Sequence, residues 1–408
     1  MNICVINNLY PPLARGGAEQ VVEKTVAGLL DAGHSVVLIT LGKGGTDVAT
    51  PPNLPLKRGG TCVNTYVYHP WNLFFYTDAH KHGFLARFVW HLVDMFHVGS
   101  ARFVREVLEK EQSDVVHTHN LMGLGFLIPR VIRSLRIRHV HTVHDVQLVE
   151  PSGIILKQKE HAFRYNGLPT RVYAGLMRRL MGSPDVVISP SNFLLEFYRR
   201  WKFFPQSQFV QLRNPMTFSL INNKQLTINN ANAFHFYYIG QVEEHKGVLF
   251  LLKTILNFST EKDCELHIVG DGSILEDVKK KAEKDERVII HGRVSREKLP
   301  DIFADADMVI VPSLCYENSP TVIFESFAFG VPVLASHIEG IAELIEEGKQ
   351  GITFRAGDEK ELSEKLSWCL DHAEDVADMG MHTGTFLKAM SSQEYVPTLL
   401  SLYEEKKK

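Results

Sequence analysis

The sequence predicts an α/β protein built from two doubly wound, Rossmann-like domains. Three observations predict it: short β-branched runs recur along the whole chain, helix-period segments separate them, and the rhythm breaks once near the middle and restarts. Continuous apolar runs of this kind belong to parallel strands covered on both faces. Strands that alternate with helices build a doubly wound sheet. At 408 residues the chain exceeds one ordinary core and suits two domains.

In the first half, Ile3–Ile6, Val36–Ile39, Asp114–His117, His139–Val143 and Asp185–Ile188 read as strands. Between Phe218 and Ala233 the asparagines Asn222, Asn223, Asn229, Asn230 and Asn232 crowd a stretch without helical period, which reads as a linker or an exposed loop. The second half restarts with Phe234–Ile239, Glu265–Val269, Val288–Ile290, Met308–Val311, Pro332–Ala335 and Gly351–Phe354. The expected domains are 1–212 and 213–385, with 386–408 as a terminal helix packing back on the first. Ligands of such sheets sit beyond the carboxyl ends of the strands, so a cleft is expected where the two domains face each other.

Composition excludes several classes. Hydrophobic residues make up 45% and charged residues 22%, the usage of a folded chain rather than a disordered or fibrous one. A formal charge of −3 gives no global basic field for nucleic acid. The opening Met1–Asn7 has no basic region or cleavage site, so no signal peptide is expected. The uncharged stretch Gly59–Thr77 is interrupted by Asn64, His69, Pro70 and Asn72, which a spanning helix would not tolerate cheaply. Five scattered cysteines (Cys4, Cys62, Cys264, Cys315, Cys369) form no Cys-x-x-Cys and suit reduced thiols, so a cytoplasmic location is expected.

The most informative segment runs from Val311 to Glu325. Ser319 suits an N-cap and Pro320 a first helical residue, while Gly330 ends the helix. Amides near Asn318, Ser319, Pro320, Thr321 and Val322 then open toward the space beyond the preceding strand, an anion site by construction. Glu317 precedes this nest and Glu325 lies within the helix, where each can accept hydrogen bonds from sugar hydroxyls. Alone, the pair reads as one acid favouring the dipole and one solvated helical acid. A second strand–loop–helix corner, Tyr238–Gly247, sets Lys246 at a helix entrance, where it can neutralise a diphosphate.

Together these residues resemble a family. The Lys246–Gly247 entry, Glu317 and Glu325 eight residues apart, and Gly330-Val331-Pro332-Val333 are similar to the family-4 retaining glycosyltransferases of the GT-B fold (glycosyl transferases group 1). The resemblance covers nearly the whole chain and is strongest in the C-terminal half. It implies transfer of a hexose-type sugar from a nucleotide-diphosphate sugar, with retention at the anomeric carbon. It implies no cofactor and no metal at the diphosphate, with the donor held mainly by the C-terminal domain and the acceptor on the N-terminal side. The partners implied are the nucleotide sugar and a glycan, lipid-linked or small-molecule acceptor.

Residue by residue, the resemblance places Lys246 on the diphosphate, Glu317 on the donor sugar, Glu325 on the ribose and the 318–322 amides on phosphate and sugar. It places Arg293, in the His291–Val294 loop, beside the base. Gly16 and Gly17 lie opposite the donor phosphate, and His144 contacts the donor sugar. His119 and Asn120 are acceptor-side candidates. The family usually has an arginine where this chain has Gln241, so one cation of the donor site is absent from its usual position; Arg213 and Arg15 are the replacements in view.

Rival readings are weaker. Gly270-Asp271-Gly272-Ser273-Ile274-Leu275 approaches a dinucleotide fingerprint, but the third glycine is absent and Val288–Ile290 ends in His291-Gly292-Arg293 rather than an acid, which disfavours an NAD-dependent oxidoreductase. His117 and His119 alternate on one strand, without a third ligand at metal spacing. A nucleotide-sugar epimerase or sugar phosphate synthase on the same fold, or a weakened transferase-like binding subunit, are the alternatives. Two aromatic-basic stretches, Trp71–Phe96 and Tyr198–Phe204, read first as helices packing aromatics into the core and second as a peripheral membrane contact.

Overall fold

The computed structural model describes residues 1–13, 16–43, 63–215, 233–388 and 392–405. Arg15, Cys62, the asparagine-rich stretch 218–232 and the Lys406–Lys408 end lie outside the described residues. Packing divides the chain into one unit of Met1–Gly153, Gly167–Pro215 and Ser392–Lys408, and a second of Ile154–Asn166 and Met216–Ser391. The division in the middle thus falls at Pro215 rather than 212, residues 154–166 join the second unit, and the terminal stretch that joins the first begins at Ser392 rather than 386.

The first unit carries seven strands: β1 (Asn2–Ile6), β2 (Ser35–Leu41), β3 (Val63–Tyr68), β4 (Val115–Thr118), β5 (Arg138–Thr142), β6 (Val186–Ser189) and β7 (Gln208–Gln211). They form one parallel sheet in the order β3-β2-β1-β4-β5-β6-β7. The second unit carries β8 (Phe234–Ile239), β9 (Cys264–Val269), β10 (Val288–Gly292), β11 (Met308–Val311), β12 (Val333–Ser336) and β13 (Gly351–Phe354). These too are all parallel, in the order β10-β9-β8-β11-β12-β13. Each sheet therefore reverses strand order once, between β1 and β4 and between β8 and β11. A crevice opens at the carboxyl ends of the strands at such a point.

The inner strands follow the β-branched runs because both their faces are covered. Ile3, Val5, Val36, Leu38, Val115, Val140 and Val186 share one core with Val22, Val26 and Leu29 of helix Gly17–Asp31. Tyr395, Leu399, Leu402 and Tyr403 of the terminal helix Ser392–Glu404 complete that core. Thr25 and Tyr395 share a hydroxyl hydrogen bond of 2.9 Å, and Arg138 donates to the Leu402 carbonyl at 2.6 Å. In the second unit Phe236, Leu266, Ile310 and Leu334 pack on one face of the sheet, and Val309, Val311, Val333 and Ala335 on the other.

The aromatic stretches separate. Tyr198, Phe203 and Phe204 are buried as expected, but helix Asn192–Arg200 ends before Trp201, so the two phenylalanines lie in the turn that follows it. Helix Phe84–Met95 meets the expectation only in part: Trp90 is buried and donates to the Phe74 carbonyl at 2.8 Å, but Phe84, Leu85 and Phe88 stay exposed, as does Trp71 in the preceding loop. The uncharged stretch from Gly59 enters β3, and no helix among the described residues is long and apolar enough to cross a membrane.

β4 and β5 place histidines where a parallel sheet normally places valine. His117 bridges the Tyr403 and Thr142 hydroxyls, each at 2.7 Å, and Thr118 Oγ1 lies 2.8 Å from His139 Nε2 and 2.9 Å from His141 Nδ1. Burial drives their pKa values down: to about 3 for His117 and His141, to about 4 for His144, and well below the ordinary value for His119 and His139. All five are therefore neutral at pH 7. Two buried acids run the other way. Burial, opposed by the Gly123 amide, raises Asp94 to about 8; burial, opposed by the Gln147 amide and helped by the Glu19 charge, raises Asp145 to about 6.

The signs set an acid limit. A histidine with a lowered native pKa leaves the unfolded chain binding more protons below about pH 6.5, so stability falls with pH, by about 1.4 kcal/mol per pH unit for each such group at the limit. The two raised acids contribute oppositely, their stabilisation being lost as pH rises through their native values, but five imidazoles outweigh them. Thermal unfolding followed from pH 7 to 4.5 is expected to show a steep fall in Tm below pH 6.5, shallower in His139→Gln. A Tm that stays flat to pH 4.5 contradicts the neutral-histidine core.

Candidate functional site

The second unit gathers its polar residues at the β8/β11 crevice. After β8 the chain passes Gly240 and Gln241, makes a tight turn over Glu244–Lys246, and enters helix Val248–Asn257 through Gly247. Gly247 has φ +79°, and a Cβ there would lie 1.8 Å from the Pro312 carbonyl oxygen, so only glycine lets this turn press on the loop after β11. The Leu314 amide bonds the His245 carbonyl at 2.9 Å and locks the two loops together.

That approach brings Lys246 to Glu317, 71 residues later. Lys246 Nζ donates to Glu317 Oε1 at 2.7 Å, and buried Ser313 donates its hydroxyl to the same oxygen at 2.8 Å. The Cys315 thiol also points at Oε1, at 4.0 Å. All these contacts converge on Oε1, and Oε2 takes none among the described residues. Burial works against the Lys246 charge, but Glu317 more than compensates and holds the ammonium above its ordinary pKa. An ammonium carries three donors, so one bond to Glu317 leaves two for another acceptor. Burial and the Glu317 charge push the Cys315 thiol up to about 12, which keeps it protonated and poorly nucleophilic.

Glu317 is followed by helix Thr321–Ala328. The expected cap differs by one residue: Pro320, with ψ +121°, is the capping residue, and Ser319 lies outside the helix with its buried hydroxyl unpartnered. Pro320 has no N–H, so it fixes the chain's direction and supplies no donor. The Ile323 amide turns back to the Pro320 carbonyl at 3.2 Å, while the amides of Thr321 and Val322 meet no backbone acceptor among the described residues. Gly330 closes the helix with bonds from the Gly330 amide to Phe327 and from the Val331 amide to Ser326.

Glu325 is buried rather than solvated. Its carboxylate lies 3.5 Å from the guanidinium of Arg296, which follows β10. Arg293, three residues earlier, is exposed, and so is Gln241. The structure thus unites Lys246, Glu317 and the 318–322 segment. It adds Ser313 and Arg296, which sequence reasoning missed, and Gly340, whose Cβ would lie 2.1 Å from the Glu317 carbonyl oxygen. It also adds residues 154–158, where the Lys157 amide bonds the Leu314 carbonyl and the Tyr316 amide bonds the Ile155 carbonyl, both at 2.8 Å. Lys157 pairs with Glu339 and sits 5.7 Å over the Tyr316 ring.

The Gly270–Leu275 loop has another use. Its Asp271 carbonyl accepts the Val242 amide at 3.0 Å, and its Ser273 amide, where a cofactor phosphate would bind, donates to Glu243 at 3.0 Å. The loop braces the β8 corner through the Asp271 carbonyl and the Glu243 carboxylate.

In the first unit the corresponding crevice lies between β1 and β4. Asn8 and Asn120 are joined by a 2.9 Å backbone bond, and the Asn120 amide donates to Asn7 Oδ1 at 3.1 Å. His119 Nδ1 meets His144 Nε2 at 2.9 Å with the rings stacked at 5.2 Å. His119 Nε2 is buried without a partner, beside a cavity of about 20 Å³ lined by both histidines, Asp145 and Tyr198. A cavity of that size accommodates about one water molecule. Gly16 caps helix Gly17–Asp31, with its amide held by Glu19 at 2.9 Å, so that amide is committed within the chain. Arg213 is half-buried just past β7 in this unit.

Comparison with known proteins agrees with this geometry. The family model described as Glycosyltransferase Family 4 matches residues 15–216, and that described as Glycosyl transferases group 1 matches residues 233–372. Lipopolysaccharide 1,2-N-acetylglucosaminetransferase of Salmonella typhimurium is 25% identical over 261 residues, 61% of each chain. Among solved structures, sucrose-phosphate synthase from Thermosynechococcus elongatus superposes with a TM-score of 0.75 over 98% of both chains at 18% identity. HepE from Anabaena, in complex with UDP-glucose, superposes at 0.69 over 98% of this chain and 100% of its own, at 16% identity. With the two models tiling both units and each sheet reversing at its first strand, the chain belongs to the group 1, family-4 glycosyltransferases, and it is a glycosyltransferase with the GT-B fold of two Rossmann-like domains.

Proposed function

We propose that the chain transfers a hexose-type sugar from a nucleoside-diphosphate sugar to a glycan or lipid-linked acceptor, with retention and without a metal at the diphosphate. The observation that carries this reading is the Lys246–Glu317 pair beside the Thr321–Val322 amides at the β8/β11 crevice. Breaking the glycosidic bond puts negative charge on the departing phosphate oxygen. A fixed ammonium and helix-start amides stabilise that charge where it develops. Glu317 Oε2 accepts hydroxyls of the sugar ring. Glu325, fixed by Arg296, accepts ribose hydroxyls. Neutral His144 serves the donor sugar as a hydrogen-bonding group, and His119 and Asn120 serve the acceptor. The departing phosphate takes the acceptor's proton on the face it leaves, which retains the anomeric configuration. UDP-glucose bound to HepE and the lipopolysaccharide-directed relative support a nucleotide-sugar donor and a role in polysaccharide assembly.

The two glutamates separate in a kinetic test run in excess EDTA with a nucleotide sugar that supports turnover. Wild-type turnover is expected to persist in the chelator. Glu317→Ala is expected to lower kcat strongly, because its contacts matter most as the ring gains oxocarbenium character. Glu325→Ala is expected mainly to raise KM, because a ribose contact is the same in the ground and transition states. Turnover that needs added Mg²⁺ or Mn²⁺ contradicts the metal-free donor site, and exchanged kinetic effects in folded variants contradict the two roles.

The exposed Phe84, Leu85 and Phe88 of helix Phe84–Met95 support an acceptor taken from a membrane surface, since apolar side chains gathered on one helix enter a lipid interface readily. Co-sedimentation with anionic vesicles is expected for the wild type and lost in the Phe84→Ser, Leu85→Ser, Phe88→Ser triple variant. Equal recovery of both proteins in the supernatant contradicts the membrane reading.

A further inference from the structure

The second sheet carries a polar face far along the strands from Lys246 and Glu317. Register sets His235 of β8 directly across from Glu265 of β9, and Tyr237 across from His267. Alternation sends these four side chains to one face, while Phe236, Tyr238, Leu266 and Ile268 fill the core on the other. His235 and Glu265 are the second residues of their strands, so the group lies toward the amino ends, opposite the end where the donor crevice opens.

Three of these side chains converge. His267 Nε2 lies 3.1 Å from Glu265 Oε2, and His235 Nε2 lies 3.8 Å from the same oxygen. One ligand atom from each lies within 4.8 Å of the other two. Tetrahedral zinc with bonds of about 2.0–2.1 Å sets its ligand atoms about 3.3 Å apart, which small side-chain rotations reach from this arrangement. We propose that His235, Glu265 and His267 form a binding site for a zinc-class divalent transition ion, with the fourth position left to water.

The surroundings have the form such a site needs. His235 Nδ1 lies 3.1 Å from Asp305 Oδ2, and the Tyr237 hydroxyl donates to that same oxygen at 2.6 Å. His267 Nδ1 lies 3.0 Å from His291 Nε2. Each imidazole can therefore pass its second N–H outward and turn Nε2, with its lone pair, toward the shared centre, the arrangement metal-ligating histidines favour. Two imidazoles and one carboxylate suit zinc and discriminate against magnesium and calcium, which prefer oxygen throughout. The ion reaches the site past Glu265, whose side chain is 35% exposed, while His235 and His267 are 13% and 8% exposed. The site is separate from sugar transfer, so turnover in chelator and zinc binding here are compatible.

Calorimetry of zinc chloride into the untagged full chain, stripped with EDTA and exchanged into chelator-free buffer, tests the assignment. One saturable equivalent is expected, with a rise in Tm on zinc addition. Glu265→Gln and His235→Gln are each expected to weaken binding at least about tenfold, and Asp305→Asn about 10–100-fold, the range typical of partners that orient a ligating histidine. Circular dichroism checks the fold of each, and Glu265→Gln, on the exposed member, is the variant least disturbed by burial. Cobalt in place of zinc is expected to give the intense visible bands of a tetrahedral ion. Absence of saturable binding to the wild type, or equal affinity in folded Glu265→Gln and His235→Gln, overturns the site.

Discussion

Lys246 donating to Glu317 is the interaction on which the carboxyl end of the second sheet depends. It joins the loop after β8 to the loop after β11 across the point where strand order reverses. A part-buried ion pair is a weak source of net stability, because desolvating both charges offsets much of their attraction. Its value here is positional. It fixes an ammonium and a carboxylate beside the start of helix Thr321–Ala328, where free amides already favour an anion. Gly247 and Gly340 permit it by letting backbone meet backbone at distances no side chain would allow.

The first unit solves a different problem. Its β4 and β5 are buried on both faces yet carry histidines, each tied to a hydroxyl, a carbonyl or another ring. Such a core is satisfied only while the imidazoles stay neutral. Near the carboxyl ends of those strands His119 keeps one buried ring nitrogen without a partner and stacks on His144, beside a cavity the size of one water molecule. The network that holds the sheet together therefore also sets the protonation state of the residues at its rim.

Much of the fold was legible because buried parallel strands announce themselves as β-branched runs; Phe234–Ile239 and Met308–Val311 coincide with their strands. β3 and β7 escaped because Asn64, Gln208 and Gln211 break the apolar run by which the edge strands β10 and β13 were still readable. At the site, residue types near a glycine or a helix start were readable for Lys246, Glu317 and the amide-bearing segment. Contacts made only by tertiary approach were not. Nothing local marks Arg296 as the partner of Glu325, Ser313 as a second donor to Glu317, or Gly340 as the floor under residue 317. The shift of the cap from Ser319 to Pro320 has the same origin, since the chain's direction there is set by Gly340 and the β11 loop rather than by a side-chain cap.

Calorimetric binding of a nucleoside diphosphate in EDTA to the wild type and to Lys246→Met, with exposed Lys253→Met as control, tests the role of Lys246 most directly. A charge-assisted contact of this kind contributes about 1.5–3 kcal/mol. Affinity is expected to be about 10–150-fold weaker in Lys246→Met and unchanged in Lys253→Met. Equal affinity of all three folded proteins for the diphosphate would contradict that role.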